Sequence, residues 1–198
     1  MKHLGRICVI AGIIVLNLFC FLDCSRAAER NSKFFQGVEF LTGFSQGETQ
    51  EKGYYELVPL AADLDFNLKV LTEKIHLSPP GLLQFQLEPF VNVVVNPKSD
   101  LELGHSFALK VGILPDDWAF QPYVKAGVGV VFMTLHVAEQ STQFNYIESY
   151  VVGAHCFFNK KTALTLEGRF RHLSNASRKL PNHGINTDSV YAGILYLF

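Results

Sequence analysis

At 198 residues the chain has room for one domain or one small barrel. Seventeen Lys and Arg stand against 18 Asp and Glu, a net charge of −1. That balance offers no broad basic field for a nucleic-acid partner.

The first 27 residues read differently from the rest. Lys2 and Arg6 open the chain, an apolar run follows from Ile7 to Leu22, and Ser25-Arg26-Ala27 places small residues at the −3 and −1 positions of a cleavage site. This is the pattern of a secretory signal peptide, and the run is short for a membrane-spanning helix. A lipoprotein signal is the alternative, because Cys20 and Cys24 lie nearby, but neither is preceded by the small residues such a signal needs. Cleavage after Ala27 removes three of the four cysteines and leaves Cys156 alone, so the expected mature domain, residues 28–198, holds without an internal disulfide.

Beyond residue 27 no apolar stretch is long enough for a membrane helix. Segments rich in Val, Phe, Tyr, Leu and Gly recur instead, at about 34–45, 54–71, 81–95, 101–114, 120–133, 144–158, 162–174 and 187–198. Each is at least as long as the roughly 9–11 residues a tilted strand needs to cross a bilayer. Turn chemistry separates them, as in Ser78-Pro79-Pro80-Gly81, Asn96-Pro97, Pro115-Asp116-Asp117 and Asn159-Lys160-Lys161.

Lipid satisfies no open sheet edge, so a membrane sheet must close. The expected fold is all-β, an eight-stranded antiparallel transmembrane β-barrel whose interior side chains fill it. A soluble lipid-carrying barrel is the competing architecture. The last segment separates the two, because Val190, Ala192, Ile194, Tyr196 and Phe198 share one face. An apolar stripe ending in an aromatic resembles the targeting signature of outer-membrane barrels. Both termini then lie in the periplasm, and the connection at about 175–186 is an extracellular loop at the level of the outer leaflet.

The seventh segment carries the chemistry. Alternation puts Leu164, Leu166, Gly168, Phe170, His172 and Ser174 on one face and Thr165, Glu167, Arg169 and Arg171 on the other. Charges at membrane depth belong inside the barrel, so His172 and Ser174 point to lipid. Two residues apart on one face, they sit about 6–7 Å apart at the backbone, within reach of a hydrogen bond between side chains. Serine is a weak nucleophile until a base takes its proton, and histidine titrates in the range for that task.

The run Phe170-Arg171-His172-Leu173-Ser174-Asn175-Ala176, followed by Pro181-Asn182-His183-Gly184-Ile185-Asn186, resembles the signature of the lipid A 3-O-deacylase family of outer-membrane hydrolases. The resemblance implies a serine esterase that releases the 3-position 3-hydroxyacyl chain from lipid A, with His172 as base and Ser174 as nucleophile. It further implies that Asn175 and the backbone N–H groups of Asn175, Ala176 and Ser177 line an oxyanion hole. Asn182 and Gly184 would shape the closing loop. The family places a glutamate where this chain has Asn186. The expectation is that Asn186 orients His172 and that Asp188, on the same face of the last strand, is a candidate replacement acid.

The acyl chain is expected along Leu164, Leu166, Phe170, Ala192 and Ile194, with Arg178 and Lys179 placed to attract lipid A phosphates. The implied partners are lipopolysaccharide and the outer membrane. No cofactor or metal is expected, and the oligomeric state is left open, a homodimer among the options. His76, His105, His136 and His155 read as loop or barrel residues, and His183 as a loop residue near substrate phosphate or solvent. Asp63 and Asp65 share a face and read as acids inside the barrel opposite Arg169 and Arg171, with a metal site as the alternative. A non-catalytic small barrel, structural or adhesive, is the competing function.

Overall fold

The computed structural model describes residues 33–49, 53–77 and 79–198. The expected signal peptide lies outside them. Eight antiparallel strands close into a barrel in simple up-and-down order, β1 pairing with both β2 and β8. They are β1 (Phe35–Thr49), β2 (Gly53–Asn67), β3 (Gly81–Asn96), β4 (Asp100–Pro115), β5 (Phe120–Met133), β6 (Phe144–Phe157), β7 (Thr162–Ser174) and β8 (Ile185–Leu197).

The second strand is shorter than the sequence suggests. It ends at Asn67, where the Asn67 Oδ1 accepts the Lys69 N–H at 2.9 Å and turns the chain into a single helical turn, α1 (Lys69–Thr72). Lys69 then folds back, its Nζ 2.5 Å from Asp116 Oδ2 and 3.3 Å from the Pro80 carbonyl, tying this connection to the β4–β5 turn.

The barrel is inside-out relative to a soluble one. Outward positions carry exposed Phe40, Leu60, Leu103, Val128, Val152 and Ile194, while Glu39, Asp63, Lys110, Lys125, Glu102 and Glu167 are buried within. Water would penalise the first set and lipid would penalise the second, so the wall fits a bilayer. An aromatic belt runs along the wall at the end where β1 begins and β8 finishes. Tyr196, Phe198, Phe35, Phe66, Phe85 and Phe107 contact in series, with ring centroids 5.1–6.2 Å apart. Such belts mark the membrane–water interface. The outward stripe on β8 ends in this belt through Phe198, as its alternation requires.

The interior is filled. Near the termini, Lys125 Nζ lies 3.1 Å from both Asp63 and Glu167, and Lys110 Nζ lies 3.3 Å from Glu39 and 4.0 Å from Asp65. Higher up, Arg169 pairs with Glu88 at 2.8 Å and also with Glu167, and Arg171 pairs with Glu102 at 2.7 Å. Asp63 and Asp65 thus meet lysines rather than the expected arginines. They sit at the terminal end of β2, level with Lys110 and Lys125, whereas Arg169 and Arg171 lie toward the other end of β7. An apolar plug including Leu57, Val94, Val131, Met133, Leu173 and Ile185 closes the interior beneath the β5–β6 and β7–β8 connections. The internal cavity lined by Arg169 and Arg171 is about 30 Å³, room for about one water.

Candidate active site

His172 and Ser174 stand at the upper end of β7, both half-buried and both on the outward face, while Leu173 between them is fully buried in the plug. The alternation follows from the interior charges below. Arg169 and Glu167 must face inward to be paired, and every second residue then faces lipid.

The ladder places His172 between two strands. Its partner on β8 is Asn186 and its partner on β6 is Glu148. Ser174 is opposite Tyr146, and Phe170 lies between Tyr150 and Asp188. His172 Nδ1 is 2.6 Å from Asn186 Oδ1. A carbonyl oxygen accepts, so Nδ1 carries the proton and Nε2 is left as the basic nitrogen. Gly184, with φ +75°, lies against the other edge of the ring. A Cβ there would fall 2.6 Å from Cε1 and 3.3 Å from Nε2. The basic edge is therefore directed toward the loop above β8, at the level of Ser174. Among the described residues no hydrogen bond joins the ring to Ser174 Oγ. Catalytic contacts often stay long until substrate arrives, so the lack of this bond leaves both groups as candidates.

Asp188 is joined to His172 by neither a hydrogen bond nor an ion pair. It is one pleat deeper, diagonal to the ring, and such neighbours are about 7–8 Å apart at the backbone against about 4.5–5.5 Å for direct partners. Asn186 is thus the residue that meets the imidazole.

The loop beyond Ser174 turns sharply, with Ala176 and Ser177 both left-handed at φ 54° and 59°. Consecutive non-glycine residues in that region are strained, and such strain concentrates at functional sites. The expected set of oxyanion donors is only partly available. The Asn175 N–H donates to Asn182 Oδ1 at 2.8 Å, and the Asn175 side-chain amide donates to the Lys179 carbonyl at 2.8 Å and to Ser141 Oγ at 3.3 Å. Asn175 is therefore a brace. The Ala176 and Ser177 N–H groups, on exposed residues, have no partner among the described residues.

Sequence reasoning missed what holds this loop. The β5–β6 connection stitches to it through His183 N–H to the Glu139 carbonyl at 2.9 Å, Ser141 N–H to the Pro181 carbonyl at 3.1 Å, and Ser141 Oγ–H to the Lys179 carbonyl at 2.8 Å. Arg178 is drawn over Tyr146, its guanidinium carbon 5.1 Å from the ring centroid, which keeps a cation beside Ser174. Of the expected acyl strip, Phe170 is adjacent to the pair. Leu164 is ten residues below Ser174, roughly 33 Å along the strand. One leaflet is only about 15 Å deep, half of the hydrocarbon core, so Leu164 and its partner Ile194 are out of range of a chain anchored at Ser174. A groove of about 800 Å³ crosses the outer wall from Ile194 and Ala192 past Phe40 and Leu60 to Val91 and Leu103.

The remaining histidines are elsewhere. His155 is buried in the lumen against Lys110 and Thr165, His105 packs edge-on to Phe107 on the outer wall, and His76 and His136 occupy connections. Glu39, Asp63 and Glu167 cluster closely enough to suggest a cation. That place is taken by the ammonium groups of Lys110 and Lys125.

A family model for the lipid A 3-O-deacylases (PagL) matches residues 61–194, which span β7, its loop and most of β8. The chain belongs to the lipid A 3-O-deacylase (PagL) family. Its barrel is similar to the crystal structure of the outer membrane enzyme PagL, with a TM-score of 0.62 and 16% identity over 78% of this chain and 97% of that one. It is also similar to Neisserial surface protein A, with a TM-score of 0.58 and 11% identity over 82% of this chain and 97% of that one. At such identities the likeness shows the fold alone. No curated protein sequence matches. Family and fold together make this PagL-family member an integral protein of the bacterial outer membrane.

Proposed function

We propose that the chain is a lipid A 3-O-deacylase, a serine esterase acting in the outer leaflet. The observation that carries this reading is the outward His172, fixed through Nδ1 by Asn186 at 2.6 Å, with Ser174 one pleat above it on the lipid-facing wall. A structural barrel has no use for an oriented imidazole and a hydroxyl facing lipid. An enzyme whose substrate is a membrane lipid does.

In this mechanism Ser174 Oγ attacks the carbonyl carbon of the 3-position ester while His172 Nε2 takes its proton. The oxyanion forms near the N–H groups of Ala176 and Ser177. Fixed donors at such an oxygen are worth roughly 3–4 kcal/mol. The C–O bond to the sugar breaks, and the leaving oxygen takes the proton from His172. Water then attacks the acyl-serine with His172 again as base, releasing a 3-hydroxy fatty acid and restoring Ser174. These steps use side chains, backbone and water alone. Phe170 lies under the acyl chain, and Arg178 is the cation nearest to lipid A phosphate.

The expected result is that Ser174→Ala and His172→Ala barrels fold, judged by heat-modifiable gel migration, and release no fatty acid from lipopolysaccharide. Release by either variant at the parent rate removes the serine mechanism. The second reading, a non-catalytic surface barrel, is favoured by Asn186 in place of a carboxylate. It predicts no release from the parent protein.

A further inference from the structure

The orienting partner of His172 is neutral, so the imidazolium formed when Ser174 gives up its proton has no anion bonded to it. We infer that Glu148, reaching in from β6, supplies that charge; the inference rests on the serine-esterase reading. Glu148 is the direct ladder partner of His172 on the side away from Asn186, and it is exposed on the outward face. Direct partners on one face have Cβ atoms about 4.5–5.5 Å apart, so a turn of the Glu148 side chain, with no shift of backbone, brings its carboxylate alongside the ring. An acid on a lipid-facing wall is costly and calls for a role.

Other charged and titratable groups nearby are less well placed. On β8, Asp188 is diagonal and one pleat lower. On β6, Tyr146 and Tyr150 flank Glu148 and bring phenol hydroxyls rather than charge. From the loop, Arg178 is positive and occupied with Tyr146, and the exposed His183 is held by its backbone to Glu139. The outward groups of β7 itself, Phe170 and Ser174, carry no charge. At the edge of the bilayer a carboxylate beside the ring acts through a medium less polar than water, where a charge pair is strengthened. Asn186 fixes the tautomer and Glu148 supplies the field, so the two functions of a triad acid are divided between two strands. Glu148 acts through His172 and is not itself a catalytic residue.

The test is steady-state kinetics of fatty-acid release for folded Glu148→Gln, Glu148→Gln with Asn186→Asp, and Ser174→Ala. Glu148→Gln is expected to lower kcat about tenfold, the factor that corresponds to one pKa unit of differential interaction, with little change in KM. Adding Asn186→Asp returns the charge from the opposite strand and restores kcat, which a purely structural role for Glu148 would not allow. If Ser174→Ala is inactive while Glu148→Gln stays within twofold of the parent, the inference falls and the serine reading stands. A loss that Asn186→Asp fails to restore also overturns it. Activity in Ser174→Ala removes the serine reading and the inference together.

Discussion

Gly184 shows how closely this site is built around one ring. Its positive φ and its contact with the His172 Cε1–Nε2 edge each exclude a side chain. Gly184→Ala is expected to displace the imidazole, and a misplacement of about 1 Å can cost on the order of 100-fold in rate. Steady-state kinetics on the folded variant should show this in kcat, with KM nearly unchanged; a kcat within twofold of the parent would mean the loop leaves the ring free. At this scale the sequence was partly legible. Alternation alone put His172 and Ser174 outward, because the charged residues below them on β7, Glu167, Arg169 and Arg171, had to face in. Asn175 was less legible. Its side chain and N–H are consumed in bracing the loop through Asn182, Ser141 and Lys179, contacts that exist only once two distant connections meet.

Among the elements, the strands were legible from their length and their turns, and the errors lie at their ends. The expected eighth strand began at 187, but β8 starts at Ile185 and so carries Asn186 into the ladder beside His172. The expected second strand ran on to 71, and the Asn67 side chain turns the chain before that point. Cross-strand register was not legible at all. Glu148 stands on β6 among outward Tyr146, Tyr150 and Val152, so alternation could have marked it as an acid facing lipid. That it stands level with His172 emerges only from the pairing of β6 with β7. Register likewise separates Asp188 from the ring.

For the whole molecule, the buried charges fix which way every side chain faces. Glu102 accepts hydrogen bonds from Tyr55, from Asn92 at 2.6 Å and from Arg171 at 2.7 Å, all within the lumen. Removing one partner of a buried pair strands the other charge, at a typical cost of about 3–5 kcal/mol. Glu102→Gln is therefore expected to lower the temperature at which the folded form disappears on gels, and an unchanged temperature would show that Arg171 finds another partner. The same inside-out arrangement delivers His172 and Ser174 to the outer wall, since interior charges on β7 leave its remaining residues to face the bilayer. The fold alone does not decide activity. The most direct measurement is mass spectrometry of lipid A incubated with the purified barrel and with its Ser174→Ala variant. The parent is expected to remove one 3-hydroxyacyl mass from the 3-position and the variant to remove nothing. Lipid A of unchanged mass with the parent, or the same loss with the variant, would contradict the serine-esterase reading.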